Sequence, residues 1–183
     1  MTSTNLSLYN NAWYNPGASA AKRFLWHYIN GLFFNSPLFP INSLKISLLR
    51  LFGAKVGKGV VIKPSVNIKY PWFLQIGDHT WIGEQVWIDN LNWVNIGSHC
   101  CLSQGAMLLT GNHNYKTPTF DLMVSPITLE DGVWIGAKSI VCPNITCYNH
   151  AVLQAGGVAT KNLLANKIYA GNPAQIIKDR FDA

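Results

Sequence analysis

The stretch IGDHTWIGEQVWIDNLNWVNIGSHCCLSQGAMLL, which spans residues 76–109, carries an aliphatic residue at intervals of six. The aliphatic positions are Ile76, Ile82 and Ile88 and, after an insertion of two residues, Ile96, Leu102 and Leu108. An α-helix repeats about every 3.6 residues and a strand every two, so neither element explains this period. A parallel β-helix does, because each hexad supplies a short strand and a corner, and three hexads close one coil.

The same register extends to both sides of this stretch. Its further positions are Val56, Ile62, Ile68, Leu129, Ile135, Val141, Cys147 and Leu153. Coils then start at residues 56, 76, 96, 129 and 147, and the third coil carries an excursion over 114–128. Stacked coils bury one continuous column of aliphatic side chains, so the repeat also predicts where the core lies.

Composition agrees with a single packed domain. The chain has 183 residues, of which 49% are hydrophobic and only 12% are charged, which excludes an intrinsically disordered protein. The longest apolar run, 24–34, is interrupted by polar residues and is shorter than the roughly 18 residues of a membrane span. The four cysteines lack paired CxxC spacing, which predicts reduced thiols in a cytoplasmic protein.

Charge is distributed unevenly along the chain. Residues 1–77 contain eight Lys or Arg and no carboxylate, and the first acidic residue is Asp78. Such an asymmetry is typical of a surface that meets an anionic partner. Because the basic residues lie in the N-terminal segment and the first coil, we expect them to lie away from His113. A membrane surface or a lipid pyrophosphate is then a better partner than nucleic acid, and we predict no nucleic acid partner.

Four motifs extend the pattern beyond the repeat. They are GNHNY (111–115), DGVWIGAKSIV (131–141), GGVATKN (156–162) and GNPAQII (171–177). With these motifs the chain resembles the hexapeptide-repeat acyltransferases, whose fold is a left-handed parallel β-helix. LLRLFGAKVGKGV (48–60) and YPWFLQIGDHTWIG (70–83) are similar to the colanic acid biosynthesis acetyltransferase branch. The resemblance implies an all-β, left-handed parallel β-helix over 55–165, after an N-terminal helical segment (1–54) and before a short C-terminal tail (166–183).

The resemblance also implies a reaction. It implies an acetyl-CoA-dependent O-acetyltransferase that acts on a sugar hydroxyl of an exopolysaccharide or lipid-linked precursor. An alcohol attacks a thioester only while a base removes its proton, and neutral imidazole suits that role. The family's catalytic histidine falls on His113, which would act by direct transfer in a ternary complex without a cysteine nucleophile. A carboxylate that orients His113 cannot be chosen from the sequence.

The positions that match the family's donor and acceptor contacts complete this prediction. For acetyl-CoA they are Trp134, Gly136, Ala137, Ala155, Gly156, Thr160, Lys161 and Lys178. For the acceptor, Glu84 stands where better-known sugar acetyltransferases have Asn, and Asp89, Asn90 and Tyr115 are the replacements we consider. The family further implies a homotrimer with each active site between neighbouring chains, and no metal.

Two other functions remain open at this point. His79 and His99 share one hexad position on successive coils, so their rings would stack about 4.8 Å apart. With a third ligand from a neighbouring chain they would resemble the zinc site of the β-helical carbonic anhydrases, which are hydro-lyases. A catalytically silent scaffold is the other alternative. For residues 19–52, capping of the first coil and peripheral contact with the inner face of the membrane both stay open.

Overall fold

A computed structural model describes residues 3–181, which form a parallel β-helix with three faces. The first face contains β1 (Lys55–Val56), β4 (Leu74–Ile76), β7 (Val94–Ile96), β12 (Ile127–Leu129) and β15 (Thr146–Cys147). The second contains β2 (Val61–Ile62), β5 (Trp81–Ile82), β8 (Cys101–Leu102), β13 (Trp134–Ile135), β16 (Val152–Leu153), β18 (Lys167–Ala170) and β19 (Gln175–Asp179). The third contains β3 (Asn67–Ile68), β6 (Trp87–Asp89), β9 (Met107–Leu109), β14 (Ile140–Val141) and β17 (Val158–Ala159).

The predicted register is confirmed. Every position of the aliphatic series is at most 3% exposed except Val56 at the open end, which is half-buried. Hexad corners contain a residue in the left-handed region, and His79 and His99 both occupy such a corner at φ 56°. Small residues next to the corners let the coils approach closely. A Cβ on Gly136 would lie 2.5 Å from the backbone nitrogen of Ala155, so no larger residue fits there.

All the insertions leave the helix from one corner, where the third face turns into the first. The first coil inserts a 3₁₀ turn (Pro71–Phe73), and the second inserts residues 91–93. The third coil inserts a β-hairpin made of β10 (Gly111–His113) and β11 (Leu122–Val124). The hairpin begins at Gly111, and Ile127 and Thr128 already pair with the first face, so the excursion begins and ends earlier than the predicted 114–128. The insertions therefore stack into a second structure on one edge of the regular coils.

The N-terminal segment caps the first coil. It contains a 3₁₀ turn (Leu6–Leu8), α1 (Ala20–Ile29), which continues into a π-helical turn (Asn30–Phe34), and α2 (Asn42–Leu51). Asn42 of α2 donates to the carbonyl of Val60 and accepts from the amide of Ile62, at 2.8 and 2.7 Å. The side chain thus replaces the coil that is missing at this end and satisfies an open strand edge. No helix among residues 3–181 is long and apolar enough to cross a membrane.

The C-terminal tail continues the β-helix. Strand β18 pairs in parallel with β16, and β19 then returns antiparallel to β18. Most of the predicted tail, 166–183, therefore belongs to the second face. Residues 1–2 of the predicted N-terminal segment and 182–183 of the predicted tail lie outside the described residues.

Candidate active site

His113 ends the first strand of the hairpin. It pairs with Leu122 across the antiparallel ladder, and the intervening loop closes through Thr117, whose hydroxyl lies 3.1 Å from an oxygen of Asp121. Phe120 adopts a φ of +51°, which turns its carbonyl back toward the strand. The hairpin therefore holds the histidine on a rigid element outside the regular coils.

The imidazole of His113 is held by the main chain and by an aromatic ring. Its Nδ1 lies 2.9 Å from the carbonyl oxygen of Phe120. Because a carbonyl oxygen only accepts, Nδ1 carries the proton and Nε2 keeps a free lone pair. The ring also stacks on that of Phe120, with centroids 4.4 Å apart and planes at 7°, while Tyr9 approaches to 5.7 Å. Within residues 3–181, the group that orients His113 is a carbonyl rather than a carboxylate.

A cavity of about 570 Å³ lies beside His113. The stacked insertions supply one wall through Tyr70, Leu91, His113 and Leu122, and the N-terminal segment supplies the other. Tyr14 joins the two walls, since its hydroxyl donates to the carbonyl of Leu91 at 2.7 Å. Burial, followed by the neighbouring Tyr70, raises the pKa of Tyr14, so this hydroxyl keeps its proton.

Arg23 and Lys69 also line this cavity. The expectation that the basic residues of the N-terminal region lie away from His113 is therefore wrong for these two. The reason is that the N-terminal segment folds back along the insertions before α1 begins. Sequence distance concealed their place in the same cavity, because ninety residues separate Arg23 from His113.

The four predicted acceptor residues are dispersed. Asn90 is fully buried, and its side-chain amide bonds both the nitrogen and the oxygen of Tyr70, at 2.9 and 2.6 Å. It holds two coils together, so we withdraw it as an acceptor contact. Asp89 lies 2.9 Å from the amine of Lys69, Glu84 sits half-buried at a hexad corner, and Tyr115 is 74% exposed.

A second cavity, a groove of about 640 Å³, lies along the corner between the second and third faces. It brings together four of the predicted donor residues, Trp134, Gly136, Ala137 and Ala155. Trp134 is fixed there because its indole nitrogen donates to the hydroxyl of Ser103 at 2.9 Å. Gly156 adjoins the groove, since its amide donates to the carbonyl of Ala137 at 2.9 Å.

The other predicted donor residues lie elsewhere. Thr160 and Lys161 are exposed and follow β17, at the same corner between the third and first faces from which the hairpin leaves. Lys178 is exposed on β19 and does not line the groove, whereas Arg180 does. Arg180 donates to the carbonyls of Gly132 and His150, at 2.7 and 3.0 Å. Arg180 could have been found from the sequence, because it closely follows the GNPAQII motif and lies two residues after Lys178.

His79, His99 and two of the cysteines lie in surroundings that suit structural roles. The rings of His79 and His99 stack with centroids 5.4 Å apart, and among residues 3–181 no group of three or more His, Cys, Asp or Glu could hold a metal ion. Burial raises the pKa of Cys100 to about 11, and it also raises the pKa of the fully buried Cys147. Such thiols carry little thiolate at neutral pH and are poor nucleophiles.

Comparison with known proteins now adds to this geometry. No protein-family model matches the sequence. WcaF of Escherichia coli K12, which is named for an acetyltransferase of colanic acid biosynthesis, is 37% identical over 166 residues, or 91% of each chain. The chain belongs to the hexapeptide-repeat acetyltransferases. Galactoside O-acetyltransferase of E. coli K12 is 27% identical over 74% of this chain and 68% of its own.

Solved structures of hexapeptide-repeat acetyltransferases confirm the fold. VCA0836 of Vibrio cholerae has a TM-score of 0.80 at 24% identity, over 90% of this chain and 96% of its own. Its complex with acetyl-coenzyme A also has a TM-score of 0.80, over 91% and 92% of the two chains. The prediction of an acyltransferase is confirmed by the family, which leaves the hydro-lyase and scaffold interpretations without support.

Proposed function

We propose that the protein is an acetyl-CoA-dependent O-acetyltransferase that acts on a sugar hydroxyl of an exopolysaccharide or lipid-linked precursor. One observation carries this proposal: the bond from Nδ1 of His113 to the carbonyl of Phe120 leaves Nε2 free to accept a proton. His113 also lines a cavity of about 570 Å³, which is large enough for a saccharide. The names of the relatives, which refer to colanic acid and to galactosides, support a sugar as the acceptor.

His113 acts as the general base in a direct transfer. Its Nε2 takes the proton of the acceptor hydroxyl while the oxygen attacks the thioester carbonyl carbon of acetyl-CoA. The tetrahedral species collapses with cleavage of the carbon–sulfur bond, and the imidazolium returns its proton to the departing sulfur. The carbonyl of Phe120 accepts from Nδ1 throughout, so it stabilises the positive charge on the ring. No cysteine takes part, in agreement with the raised pKa of the buried thiols.

The groove between the second and third faces binds the acetyl donor. Gly136, Ala137 and Ala155 expose backbone groups because their side chains are absent or small, so an extended arm can lie against the coil edge. Arg180 provides a positive charge at the groove that suits a phosphate of the donor. The complex of VCA0836 with acetyl-coenzyme A supports this choice of donor.

The two cavities lie on different edges of one chain. Among the described residues, none lines both the groove and the cavity beside His113, and the third face separates them. A cyclic homotrimer resolves this separation, because the His113 edge of one protomer can face the groove of the next. In such an assembly Thr160 and Lys161, on the His113 edge, also reach the neighbour's donor.

The outer surfaces of the coils favour the same assembly. The outward ladder of the second face contains Val61, Trp81, Cys101 and Trp134, and that of the third contains Asn67, Trp87, Met107, Ile140 and Val158. The first face instead presents Lys55, Gln75, Asn95, Thr128 and Thr146. Trp81 is 61% exposed in the single chain, and exposed apolar ladders of this kind mark protein contact surfaces.

The decisive experiment measures acetyl transfer by the wild type and two histidine variants. The acceptor panel contains nucleotide sugars, neutral oligosaccharides and lipid-linked oligosaccharides. His113→Ala removes the base and should lower kcat by about 10²–10⁴-fold. His79→Ala makes the same chemical change at a hexad corner away from both cavities and should keep wild-type kcat, as should treatment with a chelator.

Two results would contradict the proposal. If His113→Ala transfers acetyl groups as fast as the wild type while thermal unfolding shows both to be folded, His113 is not the base. If the wild type acetylates no member of the panel, or loses activity on chelation, the proposed reaction is wrong.

A further inference from the structure

The cavity beside His113 adjoins a second, smaller cavity, and the two form a larger and a smaller chamber. The smaller chamber, of about 320 Å³, lies between α1 and the third face and is lined by Asn30, Asn67 and Trp87 among others. Arg23, Lys69 and Tyr70 line both chambers and so form the boundary between them. Arg23 and Lys69 therefore line the same chamber as His113.

The Arg23 side chain lines the smaller chamber together with Asp89, whose Oδ1 pairs with Lys69 instead. Within residues 3–181, the Nε of Arg23 is buried without a hydrogen-bond acceptor, and the side chain makes no ion pair. A buried donor that lacks a partner loses its hydration without compensation, which makes it costly to keep. A ligand with a negatively charged oxygen would supply the missing acceptor, because a guanidinium presents paired donors to carboxylate or phosphate.

The charges of the larger chamber favour the same kind of ligand. Lys69 pairs with Asp89 at 2.9 Å, and Asp89 lines only the smaller chamber. The lining of the larger chamber contains two cationic side chains and no carboxylate among the described residues. Its remaining polar groups include the hydroxyls of Tyr9 and Tyr14 and the amide of Asn11, which suit the hydroxyls of a sugar.

We propose that the acceptor saccharide carries an anionic group, a carboxylate or a phosphate, which Arg23 and Lys69 bind in the larger chamber while a hydroxyl of the same molecule reaches His113. This inference rests on the proposed function. It gives the unbalanced positive charge of the N-terminal region a role inside the active site. Arg23 then sets acceptor specificity, because a neutral sugar would leave its guanidinium unpaired.

Calorimetric titration of the full-length protein tests this proposal without requiring turnover. The probes are glucose, glucuronic acid and glucose 1-phosphate, so the carboxylate and the phosphate are compared on one sugar. We expect either or both of the anionic sugars to bind about tenfold more tightly than glucose, which corresponds to one charge-assisted hydrogen bond. Which of the two gains affinity identifies the anionic group.

Arg23→Gln and Lys58→Ala provide the matched comparison. Arg23→Gln should remove the preference for the anionic sugars and leave the affinity for glucose unchanged, while Arg23→Lys should keep part of the preference. Lys58 is an exposed cation of the same acid-free region that lines neither chamber, so Lys58→Ala should bind like the wild type. Equal affinity for all three sugars, no detectable binding of the anionic sugars, or an unchanged preference in a folded Arg23→Gln variant would overturn the proposal.

The acetyl-transfer assay separates this inference from the proposed function. If the wild type transfers acetyl groups in a reaction that requires His113 but binds the three sugars equally, the function stands and the anionic acceptor is wrong. If anionic sugars bind through Arg23 while His113→Ala keeps full activity, the binding site stands and the base is wrong.

Discussion

The donor groove and the acceptor cavity are built by different means. The groove is made of hexad residues that recur from coil to coil, such as Gly136 and Ala155, and its shape follows from the stacking of the helix. The acceptor cavity is made almost entirely of residues that interrupt the repeat, namely the stacked insertions and residues 9–23 of the N-terminal segment.

This difference explains how one scaffold can serve different acceptors. The coils fix the donor site because a change at Gly136 would push neighbouring backbones apart. The insertions and the N-terminal segment stand outside the stacking pattern, so their length and chemistry can change without altering the coils. We therefore expect specificity for the acceptor to reside in the non-repeating part of the chain.

After the loss of His113 itself, the largest expected effect comes from filling the donor groove. Ala155→Trp places an indole where the donor lies, and it should lower kcat/KM for acetyl-CoA by about 10²-fold, the scale of a displaced substrate. Steady-state kinetics with varied acetyl-CoA checks this. Ala165→Trp, on an exposed residue outside the groove, is the control and should behave like the wild type. Equal kinetics of the two variants would show that the groove does not bind the donor.

A smaller effect is expected at the hairpin. Phe120→Gly keeps the left-handed backbone and the carbonyl that accepts from His113 but removes the stacked ring, so the imidazole is oriented less well. We expect kcat to fall about tenfold while KM for acetyl-CoA stays unchanged. Phe120→Tyr keeps the ring and should restore kcat. A rise in KM for acetyl-CoA with constant kcat would mean that Phe120 serves the donor rather than the base.

The smallest effect on catalysis is expected at the cap. A change there separates the two roles of the N-terminal segment, which caps the first coil and also lines the cavity beside His113. Asn42→Ala removes two hydrogen bonds to the first coil and should lower the free energy of unfolding by about 1–3 kcal/mol, with kcat unchanged. Ser47→Ala removes an exposed helical hydroxyl and should change that free energy by less than about 0.5 kcal/mol. Chemical denaturation measures both, and equal stabilities would contradict the capping role.

The sequence predicted the coils well because a period of six has a single structural explanation. The resemblance to the family placed Trp134, Gly136, Ala137 and Ala155, which the groove brings together. The sequence could not place Arg23 in the cavity that His113 lines, since the path of the N-terminal segment depends on packing against insertions that follow no period. It missed Phe120 because its contribution is a main-chain carbonyl, which any residue type could supply.

Mixed oligomers test most directly whether neighbouring chains share each active site. His113→Ala and Ala155→Trp each disable one half of the site, and the two proteins are dissociated, mixed in equal amounts and reassembled. If the halves come from neighbouring protomers of a trimer, about three quarters of the trimers are mixed and each contains one intact site, so about a quarter of wild-type activity should return. Activity no higher than the mean of the two separate variants would contradict the shared site.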